Sequence, residues 1–299
     1  MREPESSRTL REKKALTLGG LLLWGRKALG ALGRAEASSS AERILSGITG
    51  HSRTVLYLES KSKASGLLVR RFQSLIKRRK NREPVAYLLG KAHFWEETLA
   101  VGEGCLIPRP ETETLVEKFI RESGFKKGDV FPLLDLGSGS GAIGIALLRI
   151  FPNATATFSD ISEQALKVTR QNIRSYELQR RSEIVLSNLF KGLQGRKWRA
   201  ILSNPPYFSG ADWRNVQPEI LKEPRRALDG GRDGLDFYRR IAREAPLHLE
   251  AGGWLAMECG MGQARKITAW FERDFTGLKV FCDDAGIERV LIARKILNG

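Results

Sequence analysis

The stretch LLDLGSGSGAIGIALL, Leu133 to Leu148, changes character twice within a few turns of chain. Leu133 to Leu136 form a short apolar run holding one carboxylate, the pattern of a buried strand. Gly137, Gly139 and Gly141 follow at alternate positions, where missing Cβ atoms let the backbone bend sharply and let a ligand approach its amides. From Ala142 the apolar run is long enough to read as a helix. Strand, glycine turn and helix make one βα unit, and the flanking sequence repeats the alternation. TETLVEKFIRES (112–123) and EQALKVTRQNIRS (163–175) read as helices, while ATATFSDIS (154–162), EIVLSN (183–188) and RAILSNPPY (199–207) read as strands. GGWLAMECG (252–260) and KVFCDDAGIERVLIARK (279–295) supply the last strands. The alternation predicts an α/β fold with a parallel sheet and crossover helices.

The glycine turn alone does not name its ligand, because dinucleotide-binding folds use a similar one. Asp135 narrows the choice. It lies two residues before the first glycine, where a dinucleotide fold has apolar residues, and a carboxylate there suits a cationic ligand better than a pyrophosphate. The next strand ends at Asp160, with Ile161 after it, so an acidic side chain reaches the sheet edge where it can accept bonds from both ribose hydroxyls. A third strand ends at Asn188, Leu189 and Phe190, which places these residues near an adenine ring. Three strand ends of this chemistry describe a pocket for S-adenosylmethionine at the switch point of the sheet. The plainer reading, that Asp160 serves only to cap the next helix through Ser159 or Ser162, explains one residue and not the series.

The fourth strand ends at the same edge with Asn204-Pro205-Pro206-Tyr207. Two prolines stiffen the turn. The Asn204 side-chain oxygen and the Pro205 carbonyl can each accept one hydrogen of an NH2 group. In an amide or a nucleobase amine the nitrogen lone pair is delocalised, and holding both hydrogens turns that lone pair toward a methyl donor, so orientation does much of the catalysis. Tyr207 offers an aromatic wall for a planar group. The motif specifies a planar NH2 and leaves open adenine, guanine or a glutamine side chain.

Upstream the pattern differs. From Ala41 to Leu89 the apolar residues recur at helical spacing within a region of about 10–90, with a helix opened by Ser39 or Ser40 and closed by Gly47 or Gly50, and another over 64–80 ending in the basic run KRRKNR. These predict a small helical bundle, preceded by about ten polar, loosely held residues. HFWEETLAV and CLIPRP then change to short alternating runs, a β-hairpin bridging two domains. The segment REKKALTLGGLLLWGRKALGALG resembles an export signal, but Arg26 and Lys27 interrupt its apolar run before it could span a membrane, and it reads as an amphipathic helix. The net charge is +16, and residues 1–104 hold 20 basic against 10 acidic residues, which predicts acidic partners unless the face is merely solvated. Cys105, Cys259 and Cys282 form no CxxC pair and His51, His93 and His248 lack ligand spacing, so we expect no metal, no disulfide and a reducing cytoplasm.

Several unlinked motifs in one order resemble a known family. DLGSGSGAIGIAL, SDIS, SNPPY and EPRRALDGGRDGLDFYRRI are similar to the protein-glutamine methyltransferases, and EPVAYLLGKAHFW with LIPRPETETLVE narrows the likeness to the HemK/PrmC family acting on peptide chain release factors. The likeness runs from about Ala41 to Arg294, and the PRPETE segment follows the release-factor version rather than that of the group acting on a ribosomal protein. The resemblance implies a Rossmann-like class I methyltransferase domain at 105–299, with a seven-stranded, mostly parallel sheet and helices on both faces. It also implies a hairpin linker at 91–104 and a release-factor-binding helical domain at 1–90.

The implied reaction moves a methyl group from S-adenosylmethionine, leaving S-adenosylhomocysteine, to the glutamine amide of the Gly-Gly-Gln motif in class 1 release factors. Carried over, Asp135, Gly137, Ser138, Gly139, Ser140, Gly141, Asp160, Ile161, Leu189, Phe190 and Asn204 hold the cofactor. Asn204, Pro205, Pro206 and Tyr207 hold the glutamine, Asn204, Pro205 and Tyr207 act in catalysis, and Glu111 lines the pocket. Where many relatives carry Asp-Trp-Phe, this chain has Asn188-Leu189-Phe190, and Phe190 is the aromatic left to meet adenine. A nucleobase-amine methyltransferase shares the Asn-Pro-Pro-Tyr logic, but aromatic stacking platforms among the basic residues are absent. Nucleic-acid contact is permitted and not required. A non-enzymatic binding protein would carry a damaged loop or lack Asn204, and both are intact.

Overall fold

The computed structural model describes residues 16–297, and the chain divides into two compact units between Leu89 and Gly90. The first unit is helical: α1 (Leu18–Ala28), α2 (Arg34–Thr49), α3 (Arg53–Leu58), α4 (Gly66–Lys80) and α5 (Val85–Leu89). Leu21, Ile44, Leu45, Leu56, Phe72 and Ile76 are fully buried between them. Within the export-like segment the described residues form α1, opened by Thr17, whose Oγ1 accepts from the Gly20 amide at 3.1 Å. Its apolar stripe, Leu18, Leu21 and Leu22, faces the bundle core, while Arg26 pairs with Glu42. No helix among the described residues is long and apolar enough to cross a membrane.

The start of α2 differs from the expected serine cap. The helix begins at Arg34, and the serines sit inside it because glutamates four residues away satisfy them: Ser40 Oγ donates to Glu36 at 2.8 Å and Ser38 Oγ to Glu42 at 2.9 Å. Gly50, left-handed at φ +76°, ends α2, whereas Gly47 lies within it against Leu89. In α4 the run KRRKNR is partly internal. Arg79 is buried and bound to Ser40 and Glu36, while Lys77 and Lys80 remain exposed. The loosely held first ten residues lie outside the described residues.

The second unit opens with the hairpin β1 (Lys91–Phe94) and β2 (Glu97–Ala100). This hairpin is anchored in its unit rather than standing as a separate linker. The Asn172 carboxamide exchanges two bonds with the backbone of Ala100, at 2.7 and 3.0 Å, and the Tyr176 hydroxyl bonds both backbone groups of Thr98. Next come α6 (Pro110–Ser123), β3 (Pro132–Leu136), α7 (Ala142–Ile150), β4 (Thr155–Asp160), α8 (Glu163–Ser175), β5 (Ser182–Leu186) and β6 (Trp198–Ser203). The chain closes with α9 (Asp236–His248), β7 (Leu249–Glu258), α10 (Ala264–Thr268), β8 (Phe275–Cys282) and β9 (Glu288–Lys295). The seven-stranded sheet has the order β5-β4-β3-β6-β7-β9-β8, parallel from β5 to β7, with β9 antiparallel to both neighbours.

Alternate residues of each central strand bury on opposite faces, as a sheet covered on both sides requires. Leu133, Phe158, Leu202 and Ile292 meet α6, α7 and α8, while Leu134, Ile201, Met257 and Leu291 meet α9 and α10. β3 to β5 run outward in one direction and β6 returns to the other side of β3, so a crevice opens at the carboxyl ends of β3 and β6.

Gly144 in α7 shows how tightly the helix seats on the sheet. A Cβ there would lie 2.4 Å from Cε1 of Phe158 and 3.1 Å from Oδ2 of Asp135. Helix propensity favours alanine over glycine by up to about 1 kcal/mol, but overpacking a filled core costs about 1–3 kcal/mol. Gly144→Ala is therefore expected to lower stability by about 1–2 kcal/mol in denaturant unfolding; a more stable variant would contradict this packing.

Candidate active site

The glycine turn after β3 holds Gly137, Gly139 and Gly141 at φ +75°, +56° and +82°, a conformation that residues with a Cβ rarely adopt. Neighbouring elements fix it. The amides of Gly137 and Ser138 both donate to the Ser159 carbonyl, at 2.8 and 2.9 Å, and the Gly139 amide donates to Asp160 Oδ2 at 2.9 Å. From α8, Thr169 Oγ1 donates to the Gly139 carbonyl at 2.8 Å and Asn172 Nδ2 to that of Ser140 at 2.9 Å. Asp160 Oδ1 accepts from the Ser162 amide at 2.8 Å, and Ser162 itself caps α8. Burial raises the Asp160 pKa, opposed by bonds from the Ser162, Gly139 and Ile161 amides.

A cavity of about 580 Å³ opens over this turn at the carboxyl edge of the sheet, within the usual range for small-molecule sites. Gly137 to Ser140, Asp160, Ile161, Asn188 and Leu189 form one part of its wall, and Asn204, Pro205, Pro206 and Thr112 another. Leu189 adopts φ +51°, with its carbonyl held by Ser187 Oγ at 2.5 Å, and its side chain lines the cavity. That left-handed residue sends Phe190 the other way, into the core, where its ring stacks on His248 at 4.7 Å between centroids. Phe190 therefore does not line the cavity, whereas Leu189 does. Asp135 is also displaced from its expected place. It sits beneath the turn, where Oδ2 accepts from the Gly144 amide at 2.9 Å, and it does not line the cavity.

Sequence reading missed Phe237 and Arg240, which line the cavity from α9. Arg240 donates to Asn188 Oδ1 at 2.8 Å and so holds the end of the third strand. The signal was faint: Phe237 lies at the edge of the buried stripe Tyr238, Ile241 and Ala245. Glu223 was also missed. Buried at 6% exposure, it accepts from the Ile107 amide at 3.0 Å and from Arg109, and thereby clamps the segment that leads into α6.

Asn204 directly follows β6, and its Nδ2 donates to Thr112 Oγ1 at 3.0 Å. Thr112, in the first turn of α6, donates in turn to Glu258 Oε2 at 2.6 Å. Burial pushes the Glu258 carboxyl up to about 7, against the Thr112 bond and the charge of Arg289. Tyr207 and Glu111 do not line the large cavity. They line a smaller one of about 150 Å³, with Arg109 and Arg289, and Asn204 belongs to both. Burial raises the Tyr207 pKa. Among the described residues no group of three or more His, Cys, Asp or Glu could hold a metal ion.

The cavity suits a ligand with hydroxyl donors for Asp160 and a flat apolar face for Leu189 and Ile161. Ser138 Oγ, in the wall, is buried without a partner, and open space stands where Gly137 and Gly139 lack Cβ atoms. Sheet order, glycine turn and cavity together define a Rossmann-like methyltransferase. Residues 111–235 match the Methyltransferase small domain, and residues 20–90 match the PrmC N-terminal domain. Over 285 residues the chain is 36% identical to the release factor glutamine methyltransferase of Geobacter sulfurreducens, covering 93% of this chain and 96% of that one. The counterpart from Rhodospirillum rubrum is 37% identical over 290 residues, covering 96% and 88%. The chain belongs to the release factor glutamine methyltransferase family. Among solved structures, the T. thermophilus 16S rRNA N2 G1207 methyltransferase in complex with AdoMet and guanosine shares the fold, with TM-score 0.51 and 18% identity over 69% of this chain and 49% of that one.

Burial raises the Asp135 carboxyl from an ordinary 3.8 to about 8, and its Oδ1 has no hydrogen-bond partner. Its folded form holds a proton that its unfolded form has lost, so stability declines as pH rises from about 4 to about 8. Asp135→Asn carries no such charge. The melting temperature of the variant relative to the parent should climb over that interval and level off above it; a pH-independent difference would contradict the assignment.

Proposed function

We propose that this enzyme transfers a methyl group from S-adenosylmethionine to the side-chain amide nitrogen of the glutamine in the Gly-Gly-Gln motif of peptide chain release factors. The observation that carries the reading is the Asn204 carboxamide. Its nitrogen end is tied to Thr112, so its oxygen end is left to accept from a substrate NH2 in the wall common to the two cavities.

The large cavity takes the cofactor. Asp160, bonded by backbone amides on both oxygens, keeps acceptor capacity for a ribose hydroxyl. Leu189 and Ile161 give the adenine ring apolar contact, and Ser138 supplies the unpaired hydroxyl. S-adenosylmethionine bound there supplies a methyl group on a sulfonium, open to direct displacement. The small cavity takes the glutamine side chain, walled by Tyr207, Arg109, Glu111 and Arg289. Asn204 Oδ1 and the Pro205 carbonyl hold the two amide hydrogens and twist the nitrogen lone pair toward the methyl group; the C–N bond forms as the C–S bond breaks, S-adenosylhomocysteine leaves, and the nitrogen gives up one proton to solvent. Pro205 and Pro206 remove the torsional freedom that would let these acceptors drift.

The helical unit suits docking of the protein substrate. Along α4, Arg70, Arg71, Lys77 and Lys80 are exposed, a positive face for an acidic partner surface. A substrate from the translation apparatus sets the reaction in the cytoplasm.

Purified protein with labelled S-adenosylmethionine should label a release factor on the Gly-Gly-Gln glutamine; label appearing instead on ribosomal RNA or DNA would defeat the reading. Asn204→Ala should bind cofactor within about threefold of the parent while kcat falls by about 100-fold or more, the loss typical when one preorganised contact to the reacting group is removed. Undiminished turnover in that variant would remove the role given to Asn204.

A further inference from the structure

A carboxamide has two nearly isosteric orientations, and the prolines after Asn204 stiffen its backbone without choosing between them. Turned one way, Asn204 offers Oδ1 to the substrate. Turned the other way, it offers NH2 to an NH2, and the substrate hydrogens lose an acceptor. Two residues outside the Asn-Pro-Pro-Tyr motif supply the choice. Thr112 Oγ1 lies 3.0 Å from Asn204 Nδ2 and 2.6 Å from Glu258 Oε2, and both Thr112 and Glu258 are buried, at 4% and 1% exposure.

We propose that Glu258 and Thr112 are positioning residues that fix the Asn204 carboxamide with its oxygen toward the reacting nitrogen. The inference rests on the function proposed above and adds the device that orients its acceptor. An ionised carboxylate only accepts. The single hydroxyl hydrogen of Thr112 must then go to Glu258, and the Thr112 lone pairs can only receive the Asn204 NH2. Direction passes from carboxylate to hydroxyl to amide.

The groups facing Glu258 are consistent with a titratable end to this chain. Thr112 from α6 and Tyr207 from the Asn-Pro-Pro-Tyr turn hydrogen-bond its side chain, Arg289 of β9 acts on it as a cation, and Glu111 of α6 as an anion. The Tyr238 hydroxyl from α9 donates to its backbone carbonyl at 3.0 Å. Burial favours the protonated form and brings its titration to about 7. Once protonated, Glu258 can donate to Thr112, and the relay no longer imposes one orientation on Asn204.

The test uses full-length protein, a release factor and labelled S-adenosylmethionine. In the parent, kcat should fall as pH drops through about 7. Thr112→Val, close in shape but without the hydroxyl, should lose about 10–100-fold in kcat at alkaline pH, the scale expected for a misoriented contact. It should bind S-adenosylmethionine as the parent does and show no acid limb of its own. Thr112→Ser should restore both rate and acid limb. Parental turnover in Thr112→Val, equal impairment of the serine and valine variants, or a flat parental profile would each overturn the relay. Absence of any label on release factor with the parent enzyme would instead defeat the proposed function. The relay is then read without substrate: the Asn204 side-chain amide resonances should titrate near pH 7 in the parent and Thr112→Ser but not in Thr112→Val. Resonances that do not titrate in the parent would overturn it.

Discussion

The parallel pairing of β3 with β4 on one side and β6 on the other is the constraint from which the site follows. Leu136 lies opposite Ser159 and Asp135 opposite Leu202, so the three strands end level with one another. Level ends bring the glycine turn, Asp160 and Asn204, distant in sequence, to one edge of the sheet. The backbone then does the fine positioning: the Ser159 carbonyl receives two amides of the turn, and Asp160 receives a third. The turn is held by β4 and α8, which leaves its open face to a ligand.

Three carboxylates at or below that edge are treated differently, and the difference sorts their roles. Asp160 is half-buried and bonded by backbone amides, which offset part of the cost of its charge. Asp135 has one such bond and an unpaired oxygen, and Glu258 has hydroxyl donors and Arg289 nearby. Burial pushes Asp135 to about 8 and Glu258 to about 7, so both carry an energetic cost near neutral pH. Retaining such groups is what a site tuned for chemistry does at the expense of stability. Glu258 connects to the acceptor through Thr112, while Asp135 secures the seating of α7 through Gly144.

The α/β alternation, the glycine turn, Asp160 and the Asn-Pro-Pro-Tyr motif were legible because each is a local pattern: a period, a run of glycines, a strand followed by prolines. What escaped depends on distant partners. Thr112 meets Asn204 across 92 residues and Glu258 across 146, and no local pattern announces either contact. Phe190 is the one aromatic in Asn188-Leu189-Phe190, but the left-handed Leu189 precedes it and its ring lies in the core, a placement that no local pattern announces. Asp135 was read as facing the ligand, yet its face of β3 is covered by α7. The serine run in α2 resembled a cap only while its glutamate partners four residues away went uncounted.

The central claim is that Asn204 presents a glutamine amide of a release factor to the methyl donor. Mass spectrometry of release factors from cells lacking this protein, and from the same cells given back the parent or Asn204→Ala, tests it most directly. The account predicts an unmethylated Gly-Gly-Gln glutamine in the deletion, restored by the parent and not by the variant. A glutamine that stays methylated in the deletion, or is restored equally by both, would contradict it.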